Sequence, residues 1–570
     1  MFQDENKFLV SVKDISQQSS ETANANVAEK DHKVQISSDS NVVAEVSETN
    51  NSDNKPQQTM NKIQFFLVFV SLSLAILLTA LDQTIVTTIL PAIALEFNSL
   101  DEIAWVGTSY LLVETVLQPI YGGLSNIFGR KPVFLTAIFL FEIGSLLCGL
   151  STNMTMLIIS RAVEALGGAG IVGLVIIIIS EIVPIKERGK YQGIVGGCFG
   201  IASGMGPLIG GVFTDQITWR WAFLINIPLG AITFISIIFL LHIPSPTGSF
   251  WSKFLRIDWL GTFTLVIATI FLLLSLNWSG TKYEWNDPII IALLCLSSVG
   301  YIIFIFIEAK FAVEPIAPIY LFKDFKIISC FSINLFYGMT FYSLLFFMPL
   351  YFQAVMSESA TTSGFELLPF MLSVFFMDIC AGQLVSRTVF FSYGTICAFG
   401  SILMFVGSGL ISTFSINTSK EQIVVYSIIA GFGIGLIMPS TVLAGQGIVQ
   451  YKDIATVTLL LSFFQSMGVI LGVAISGTIF NNIVNSNLPS QFQGFWNNMN
   501  LTDQNKLPES LKLIFVLALD TLYRIIIDLE IEENSEPPTE GTSRAVLPKD
   551  LDYEPCDVLN RFLEREKQSK

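Results

Sequence analysis

The sequence predicts an all-α polytopic membrane protein, and three observations support this prediction. Between Lys62 and Asn482 the chain contains about thirteen apolar segments, each close to the roughly 20 residues that a helix needs to cross a bilayer. Apolar residues make up 52% of the 570 residues and charged residues only 14%, with a mean hydropathy of +0.62, so one globular core cannot bury all the segments. Basic residues recur in every second gap between the segments, which also predicts an orientation.

The basic residues divide the gaps into two sets. The richer set comprises Lys55 and Lys62, Arg130 and Lys131, Lys186, Arg188 and Lys190, Lys253 and Arg256, Lys310, Lys323 and Lys326, Arg387, and Lys452. The intervening gaps contain only Arg220, Lys282, Lys420, Lys506 and Lys512. Since basic residues concentrate in cytosolic loops, we expect the richer set in the cytosol, together with the N-terminus.

Apolar length and the positions of Gly, Pro and charged residues place the spans along the chain. Residues 1–60 are polar and are expected to form a disordered cytosolic tail, and 529–570 form a second polar tail. The first bundle, 61–242, is predicted to contain spans near 63–90, 103–126, 132–150, 157–183, 191–212 and 221–242. An inserted pair follows in 243–310, near 259–278 and 288–308. The second bundle, 311–528, is predicted to contain spans near 327–350, 364–385, 390–411, 422–445 and 455–480.

The last apolar segment, 511–527, is short and contains Asp520 and Arg524. A charge at the centre of a span costs about 2.5–3.5 kcal/mol on insertion scales, so the segment is predicted to be a surface or re-entrant helix. A true fourteenth span, in which the two charges pair, is the alternative. Thirteen spans place the C-terminus on the outer side of the membrane, and fourteen place it in the cytosol.

Composition excludes several other classes of protein. The net charge of -15 lies largely in the two tails, and no basic surface for nucleic acid is predicted. The seven cysteines lack paired spacing and the two histidines are isolated, so neither a metal site nor a cofactor is expected. No nucleophile, base and orienting group can be assembled from so few titratable residues, which argues against an enzyme. No segment resembles an ATP-binding loop, which argues against primary active transport.

A short basic loop connects the second and third predicted spans. It reads Gly122-Gly123-Leu124-Ser125-Asn126-Ile127-Phe128-Gly129-Arg130-Lys131-Pro132. Its small residues allow two helices to approach closely, and a glycine at position 129 permits the tight turn. Arg130 and Lys131 are expected to hold the loop at the anionic cytosolic face, which by itself would make it only an anchor.

This loop resembles the G-x-L-a-D-r-x-G-r-k signature of the major facilitator superfamily, and further motifs resemble its fourteen-span drug:proton antiporter branch, the multidrug and toxin efflux pumps of fungal type. These motifs are Leu81 to Val86 with Leu90-Pro91, Arg161-Ala162-Val163-Glu164 with Gly167, Gly204 with Gly206-Pro207-Leu208-Ile209-Gly210-Gly211, and, in the second half, Tyr351-Phe352-Gln353 and Gly431 to Gly435 with Gln446. The resemblance covers residues 63–482 and implies two bundles that move around a central cavity. It implies a monomer.

Three features of these motifs lead to further expectations. In the fifth span Gly206, Gly210 and Gly211 form a small-residue face and Pro207 is expected to bend the helix, which suits helices that pack closely and still move; ordinary tight packing is the alternative. Asn126 occupies a position where the family has Asp, so a charged link there is lost or becomes a neutral hydrogen bond. Glu181, in place of the family's Asp, is expected beside Lys186 and Arg188.

Ionisable residues inside predicted spans are the candidates for function, because they are expensive to keep in a membrane and tend to face a wet cavity. The candidates for proton coupling or for the cavity are Asp82, Glu114, Glu142, Arg161 and Glu164, with Asp378 a weaker one. Arg161 and Glu164 are three residues apart on one helical face and are expected to neutralise each other. The resemblance implies a coupling role for Arg161 and a structural or coupling role for Asp82. A satisfied contact between helices is the alternative for each.

These observations together predict a proton-coupled carrier in the plasma membrane that exports small amphiphilic compounds by alternating access. Its expected partners are a small-molecule substrate, protons and the lipid bilayer, without nucleic acid. One alternative is a vacuolar transporter of basic amino acids, for which Glu114, Glu142 and Glu164 would be exposed in the cavity. Another is a carrier-like sensor, or a defective carrier, that transports nothing.

Overall fold

A computed structural model describes residues 60–487, apart from 100–101, 245, 280–282, 359 and 388–392. The predicted tails and the apolar segment 511–527 therefore lie outside the described residues. The prediction about the side on which the C-terminus lies depends on that segment and lies outside them too. Within those residues every regular element is a helix.

The first half of the chain folds into seven helices. They are α1 (Lys62–Phe97), α2 (Ala104–Phe128), α3 (Arg130–Gly149), α4 (Met154–Ile182), α5 (Ile185–Gln216), α6 (Trp221–Leu224) and α7 (Asn226–Leu240). The short α6 and the longer α7 together occupy the predicted sixth span.

The remaining helices form the inserted pair and the second half. A short helix, α8 (Phe250–Phe254), precedes the pair α9 (Trp259–Trp278) and α10 (Pro288–Lys310). The second half contains α11 (Phe325–Ala354), α12 (Ala360–Arg387), α13 (Tyr393–Ile411), α14 (Lys420–Ile448) and α15 (Ile454–Asn487).

Among the described residues, 12 helices are long and apolar enough to cross a membrane, with α6 and α7 counted together. The sequence predicted about thirteen spans, and the difference is α2, which lies where the span 103–126 was predicted. Its middle carries Glu114, Thr115 and Gln118, which make it more polar than its neighbours. The other 12 predicted spans each coincide with one of these helices.

Short polar residues fix where several of these helices begin. The side chains of Asn153, Asp258 and Asp324 each accept a hydrogen bond from a backbone N–H in the first turn of α4, α9 and α11. Ser419 and Gln422 form a reciprocal capping box at the start of α14. These caps satisfy backbone donors that have no partner inside the helix. Apolar length and polar caps together therefore determine where these helices begin.

The helices pack into two halves around a seam. In the first half α1 packs against α5 and α7, while α4 packs against α2 and α3; in the second, α14 packs against α12 and α13, and α11 against α15. The halves meet where α5 contacts α12 and where α2 contacts α15. Helix α9 contacts both α2 and α15, whereas α10 packs mainly on α9. In an 18-residue apolar stretch of α10 only 17% is buried within the protein, compared with 78% in the corresponding stretch of α4, so α10 faces outward.

The bundle has a basic end and an opposite end. We define the basic end as the one where α1 begins and α2 ends, with Arg130, Lys131, Arg188 and Arg256. Contacts between distant segments bring its loops together: Lys131 donates to the carbonyl of Ile238, Arg256 pairs with Glu314, and Tyr320 donates to Asp453. At the opposite end Arg220 pairs with Glu96, and Lys420 pairs with both Glu358 and Glu366. The described part of the chain thus shows the charge alternation that the sequence predicted.

Candidate functional site

The α2–α3 turn at the basic end depends on Gly129. Its φ of 99° lies in a region that residues with a side chain rarely adopt, as the sequence predicted for this position. Arg130 follows directly, donating from Nε to Glu181 Oε1 at 2.8 Å and from Nη1 to the carbonyl of Ser125 at 2.6 Å. Glu181, expected beside Lys186 and Arg188, lies at the end of α4 against this turn. Its ion pair is with Arg130, and its charge also acts on Arg188.

The same turn contacts the second half of the protein. A Cβ atom on Gly122 would lie 3.4 Å from Leu459 and from Thr456 of α15. Asn126 donates from Nδ2 to Thr456 Oγ1 at 3.4 Å, which is the neutral hydrogen bond that the sequence allowed for at this position. The two halves therefore touch closely at the basic end.

Helix α5 uses its small residues on two different sides. A Cβ atom on Gly206 or Gly210 would collide with Thr84 or Thr88 of α1, so these glycines allow α1 and α5 to pack within the first half. On the α12 side, Gly196 and Gly200 play the same part, since Cβ atoms there would collide with Asp378 and Phe375. Gly211 has nothing within 4 Å and faces open space. Helix α5 runs through Pro207, whose side chain lies outside the described atoms.

A cluster of charged side chains is buried in the middle of the first half. Arg161 of α4 is 1% exposed and donates from Nη1 to Glu164 Oε2 at 2.7 Å, which confirms the predicted pair. The same nitrogen donates to Asp82 Oδ2 of α1 at 2.6 Å. Asp82 and Glu164 are both fully buried. One guanidinium therefore serves two carboxylates, an arrangement that the sequence did not reveal because α1 and α4 are far apart along the chain. We call these three residues the charge cluster.

Neighbouring helices hold the charge cluster in place. Asn226 of α7 donates from Nδ2 to Asp82 Oδ1 at 3.4 Å and to Ser145 Oγ at 2.9 Å. The ring of Tyr110 on α2 lies 4.3 Å from the guanidinium carbon of Arg161, within reach of a cation–π interaction. Five helices thus contribute to one polar site, of which the sequence marked only two.

Two carboxyl groups, one in the charge cluster and one on α3, have buried oxygens without a hydrogen-bond partner among the described residues. Glu164 Oε1 is buried and has no hydrogen-bond partner. Both carboxyl oxygens of Glu142 on α3 are also buried without a partner, and they lie against Gly230 of α7, where a Cβ atom would collide with them. The first half consequently contains more buried carboxyl groups than Arg161 can neutralise.

A central cavity of about 150 Å³ lies between the halves, separate from the charge cluster. Its walls come from α1, α2, α4 and α5 on one side and α11, α12, α14 and α15 on the other. The lining is mostly apolar and aromatic, with Phe199, Tyr337, Phe341, Tyr342 and Phe375. Its charged members are Glu114 and Asp378, and its amides are Gln83, Gln118, Gln192 and Gln465.

The cavity separates the predicted site residues into two groups. Glu114 lines it, and Gln83 donates from Nε2 to both Glu114 oxygens at 3.1 and 3.2 Å. Glu142 and Glu164, which the alternative substrate would require in the cavity, are not among its lining residues. Asp378, the weaker candidate from the sequence, is one of them. Which acid faces a cavity depends on helix rotation, and no local pattern in one sequence reports this.

The candidate site holds no arrangement typical of a metal centre in the described ranges. No group of three or more His, Cys, Asp or Glu side chains there is placed to hold a metal ion. The six cysteines among these residues are all free thiols.

Two helical halves around a central cavity are the architecture of membrane carriers that work by alternating access. The family model described as the Major Facilitator Superfamily matches residues 72–473, which is most of the chain. The chain therefore belongs to the major facilitator superfamily, and it is a multi-pass integral membrane protein.

Three relatives align with most of this chain, and two of them are named as efflux proteins. It is 37% identical over 441 residues to the MFS-type efflux pump MFS1 of Arthroderma benhamiae, covering 76% of this chain and 82% of that one. It is 35% identical over 427 residues to Multidrug resistance protein 3 of Bacillus subtilis, covering 75% and 82%. It is 33% identical over 453 residues to the Aspyridones efflux protein of Neocamarosporium betae, covering 78% and 80%.

A solved structure shares the fold. The human organic anion transporter MFSD10 (TETRAN) matches with a TM-score of 0.55 and 13% identity, over 82% of this chain and 99% of that one. At that identity the likeness concerns the fold alone. Together, the family and the relatives show a non-enzymatic transmembrane efflux transporter of the major facilitator superfamily.

Proposed function

We propose that this protein exports small amphiphilic compounds in exchange for protons, by alternating access of a central cavity to the two sides of the membrane. The observation that carries the proposal is the pairing of two sites: a cavity between the halves and, next to it in the first half, the buried charge cluster. A carrier that couples two fluxes needs a place for each solute and a connection between them.

The charge cluster supports a proton site by its charge balance. Asp82 and Glu164 share the single guanidinium of Arg161, so the fully ionised cluster has one negative charge in excess. An unpaired charge is costly in the membrane core, and a bound proton removes it. Glu142, with both oxygens unpartnered, is a second place for a proton.

Helix α1 supports the connection between the sites. Asp82 and Gln83 are consecutive, and their side chains diverge: Asp82 binds Arg161, whereas Gln83 binds Glu114 in the cavity wall. A proton on Asp82 weakens its link to α4 and so allows α1 to shift relative to Arg161. That shift also moves Gln83, which alters the cavity. Binding in the cavity and protonation of the cluster would thereby influence each other, as linkage requires.

The contacts between the halves support an outward-open form, with the basic end in the cytosol. At the basic end Asn126 reaches Thr456, and Gln192 donates to Gln446 at 3.3 Å, so the halves are in contact there. At the opposite end the pairs formed by Arg220 and Lys420 each stay within one half. The positive-inside rule assigns the basic end to the cytosol. We propose the plasma membrane as the location and a monomer as the working unit.

Transport of basic amino acids into a vacuole is the second candidate, and the two carboxyl groups in the cavity favour it. The aromatic walls of Phe199, Tyr337 and Phe341 favour an amphiphilic substrate instead, because they offer a large apolar surface to the apolar part of such a molecule. A tagged full-length chain located at the cell surface would agree with export, and one located at the vacuole would favour the second candidate.

Reconstitution of the full chain into vesicles tests the proposal. An imposed pH difference should drive accumulation of a fluorescent amphiphile such as ethidium, and a protonophore should stop it. Asp82→Asn should abolish accumulation against a gradient while leaving downhill exchange. If the pH difference moves neither ethidium nor a neutral dye nor labelled lysine, coupled transport is refuted. The alternative of a carrier-like sensor that transports nothing would then remain.

A further inference from the structure

We propose that Glu308, Asp258 and Thr262 bind one proton at the basic end, outside the central cavity, and that this proton holds the segment 314–317 in place between the two halves. Glu308 lies near the end of α10, Asp258 caps α9, and Thr262 is in its first turn. None of the three lines the cavity or belongs to the charge cluster. The inference goes beyond the proposed function, because it assigns a regulatory site to the inserted pair of helices.

Each of the three side chains has one buried oxygen without a hydrogen-bond partner among the described residues. These oxygens are Glu308 Oε2, Asp258 Oδ2 and Thr262 Oγ1. The other oxygens of the two carboxyl groups are occupied: Glu308 Oε1 accepts from the N–H groups of Ile316 at 2.9 Å and Ala317 at 3.3 Å, and Asp258 Oδ1 caps α9. Glu308 is only 7% exposed. Buried polar atoms without a partner are costly, so a ligand that joins these oxygens is favoured.

The register of α9 and α10 places Thr262 opposite Glu308. The two helices run in opposite directions, and the hydroxyl groups of Thr269 and Tyr301 lie 2.9 Å apart across their interface. Thr262 is two helical turns before Thr269, and Glu308 is two helical turns after Tyr301. Residues spaced by two turns lie on the same side of a helix, so Thr262 and Glu308 face each other across the same interface.

Asp258 reaches the same place from the start of α9. A parallel backbone bridge pairs Ile257 with Glu314, so Asp258 follows next to the segment whose N–H groups bind Glu308. The two carboxyl groups are close enough for the charge of Asp258 to act on Glu308. The site thus brings together two acids and a hydroxyl group from two helices.

The surrounding charged groups do not neutralise these acids. Neither Glu308 nor Asp258 forms an ion pair with a described residue, and Arg256 is paired with Glu314. At the start of α11, Lys323, Asp324 and Lys326 are exposed to solvent. The remaining charged groups of neighbouring elements have other contacts: Lys253 with the carbonyl of Pro246, Lys310 with the ring of Phe306, and Lys452 and Asp453 with Tyr320. Two buried carboxylates without a counter-charge are strongly unfavourable, and one bound proton removes half of that charge.

One proton also satisfies the free oxygens. Placed on Glu308 Oε2, it is donated to Asp258 Oδ2, and the hydroxyl group of Thr262 donates its own hydrogen to a carboxyl oxygen. Water at the basic end supplies the proton, and no other bond is made or broken. Calcium and magnesium take about six or more oxygen ligands, so the free oxygens here are too few for either metal ion.

The proton controls a segment that lies between the halves. Ile316 and Ala317, whose N–H groups Glu308 binds, are buried in an apolar cluster with Ile120 of the first half and Val457 of the second. With the proton bound, Glu308 stays in place and holds the segment in this cluster. Without it, the two like charges repel each other and the segment is released. The closed basic end is therefore favoured at low pH on that side, and this preference is lost as the pH rises.

Hydrogen exchange of the full-length chain in detergent tests this site, because the amides of Ile316 and Ala317 report whether Glu308 holds them. After correction for the intrinsic pH dependence of exchange, protection of the segment should fall about tenfold or more as the pH rises from about 5 to about 9. Glu308→Gln carries a permanent N–H donor, so the segment should stay protected at every pH. Asp258→Asn should do the same, because it removes the like charge.

Asp453→Asn is the matched control. Asp453 is a buried acid at the same end, 8% exposed and bound by Tyr320. Its substitution should leave the pH dependence of protection unchanged. Glu308→Ala should lose protection at every pH, which separates loss of the carboxyl group from loss of its charge. Size-exclusion profiles and thermal unfolding identify any variant that fails to fold, and Asp258→Asn then supplies the comparison, since it keeps both N–H contacts of Glu308.

The effect on the halves has a separate readout. Gln446 is 3% exposed and is bound by Gln192 across the seam. Labelling of a cysteine introduced at Gln446, corrected for its thiolate fraction, should become faster as the pH rises and should stay slow when Glu308→Gln is added. Equal labelling rates at every pH in both chains would refute the control of the halves by this segment.

Three other results would overturn the site. Protection of the segment that does not change with pH would refute it, as would pH dependence that persists in both Glu308→Gln and Asp258→Asn. Recovery of protection at high pH on addition of millimolar calcium or magnesium would show that the ligand is a metal ion instead. Asp82→Asn should leave the pH dependence of the segment intact, so coupled transport and this site can fail separately.

Discussion

The two halves of the membrane core bury their polar groups in opposite ways. The first half concentrates Asp82, Arg161 and Glu164 in one ion-paired cluster. The second half has a core of aromatic and aliphatic residues, including Phe341, Phe347, Tyr351, Phe352, Phe370 and Phe414. Its cavity acid, Asp378, stands without an ion pair to any described residue.

Under the proposed function this difference divides the work between the halves. The cluster of the first half, which has one carboxylate more than Arg161 can neutralise, would bind the proton. The second half contributes most of the aromatic side chains that line the cavity. The cavity joins the two halves, because Glu114 of the first half and Asp378 of the second both line it. Glu114 also accepts a hydrogen bond from Gln83, which lies on the same helix as Asp82.

Removing the cation of the first half should have the largest effect. Arg161→Ala leaves Asp82 and Glu164 buried without a counter-charge, which should lower the free energy of unfolding by about 3–5 kcal/mol and abolish pH-driven transport. Thermal unfolding in detergent measures the stability. The control is Arg220→Ala, which breaks an exposed pair with Glu96 and should cost at most about 1 kcal/mol. Equal losses in the two variants would mean that the cluster has no special role.

The two sides of α5 should respond differently to added volume. Gly206→Ala forces Thr84 away within the first half, and overpacking of this kind should lower stability by about 1–3 kcal/mol. Gly200→Ala instead displaces Phe375 across the seam, so it should change apparent substrate affinity more than stability. Gly211→Ala, which adds a methyl group in open space, is the control for both. If Gly200→Ala and Gly206→Ala have the same ratio of transport loss to stability loss, the prediction that the two sides of α5 have different roles is wrong.

The smallest effect is expected at the contact between the halves at the basic end. Asn126→Asp places a negative charge beside Thr456 in the first turn of α15, where it interacts favourably with the helix N-terminus by about 0.3–1 kcal/mol. This should shift the population toward forms with the basic end closed, by about two- to fivefold. Labelling rates of a cysteine introduced at Gln446 would report the closure. Faster labelling in Asn126→Asp would contradict this prediction.

Local features of the sequence were sufficient for much of the fold. Apolar length located the helices, and Gly129 and the Arg161–Glu164 pair were predictable because each depends on a few neighbouring residues. The sequence did not reveal contacts between distant helices. Asp82 joins the cluster from 79 positions away, and Glu181 pairs with Arg130 across 51 positions.

The cavity was the least predictable part of the candidate site. Glu142, Glu164 and Asp378 all lie in apolar helices and look alike in the sequence. Helix rotation decides that Asp378 faces the cavity while the other two do not line it, and rotation depends on packing such as the glycine contacts of α5. The departure from a thirteen-span count has a similar origin, because α2 exchanges apolar residues for the polar ones that line the cavity.

The inserted pair of helices makes the protein's two flanks unequal toward lipid. Where α5 meets α12, glycines bring the two helices together. Where α2 meets α15, Val116, Phe463 and Met467 form an apolar contact that Leu273 of α9 covers. A shortened chain without α9 and α10 would expose that contact to the membrane interior. The extra pair therefore covers one side of the contact between the halves, and a version of this protein without it would need other side chains over Val116, Phe463 and Met467.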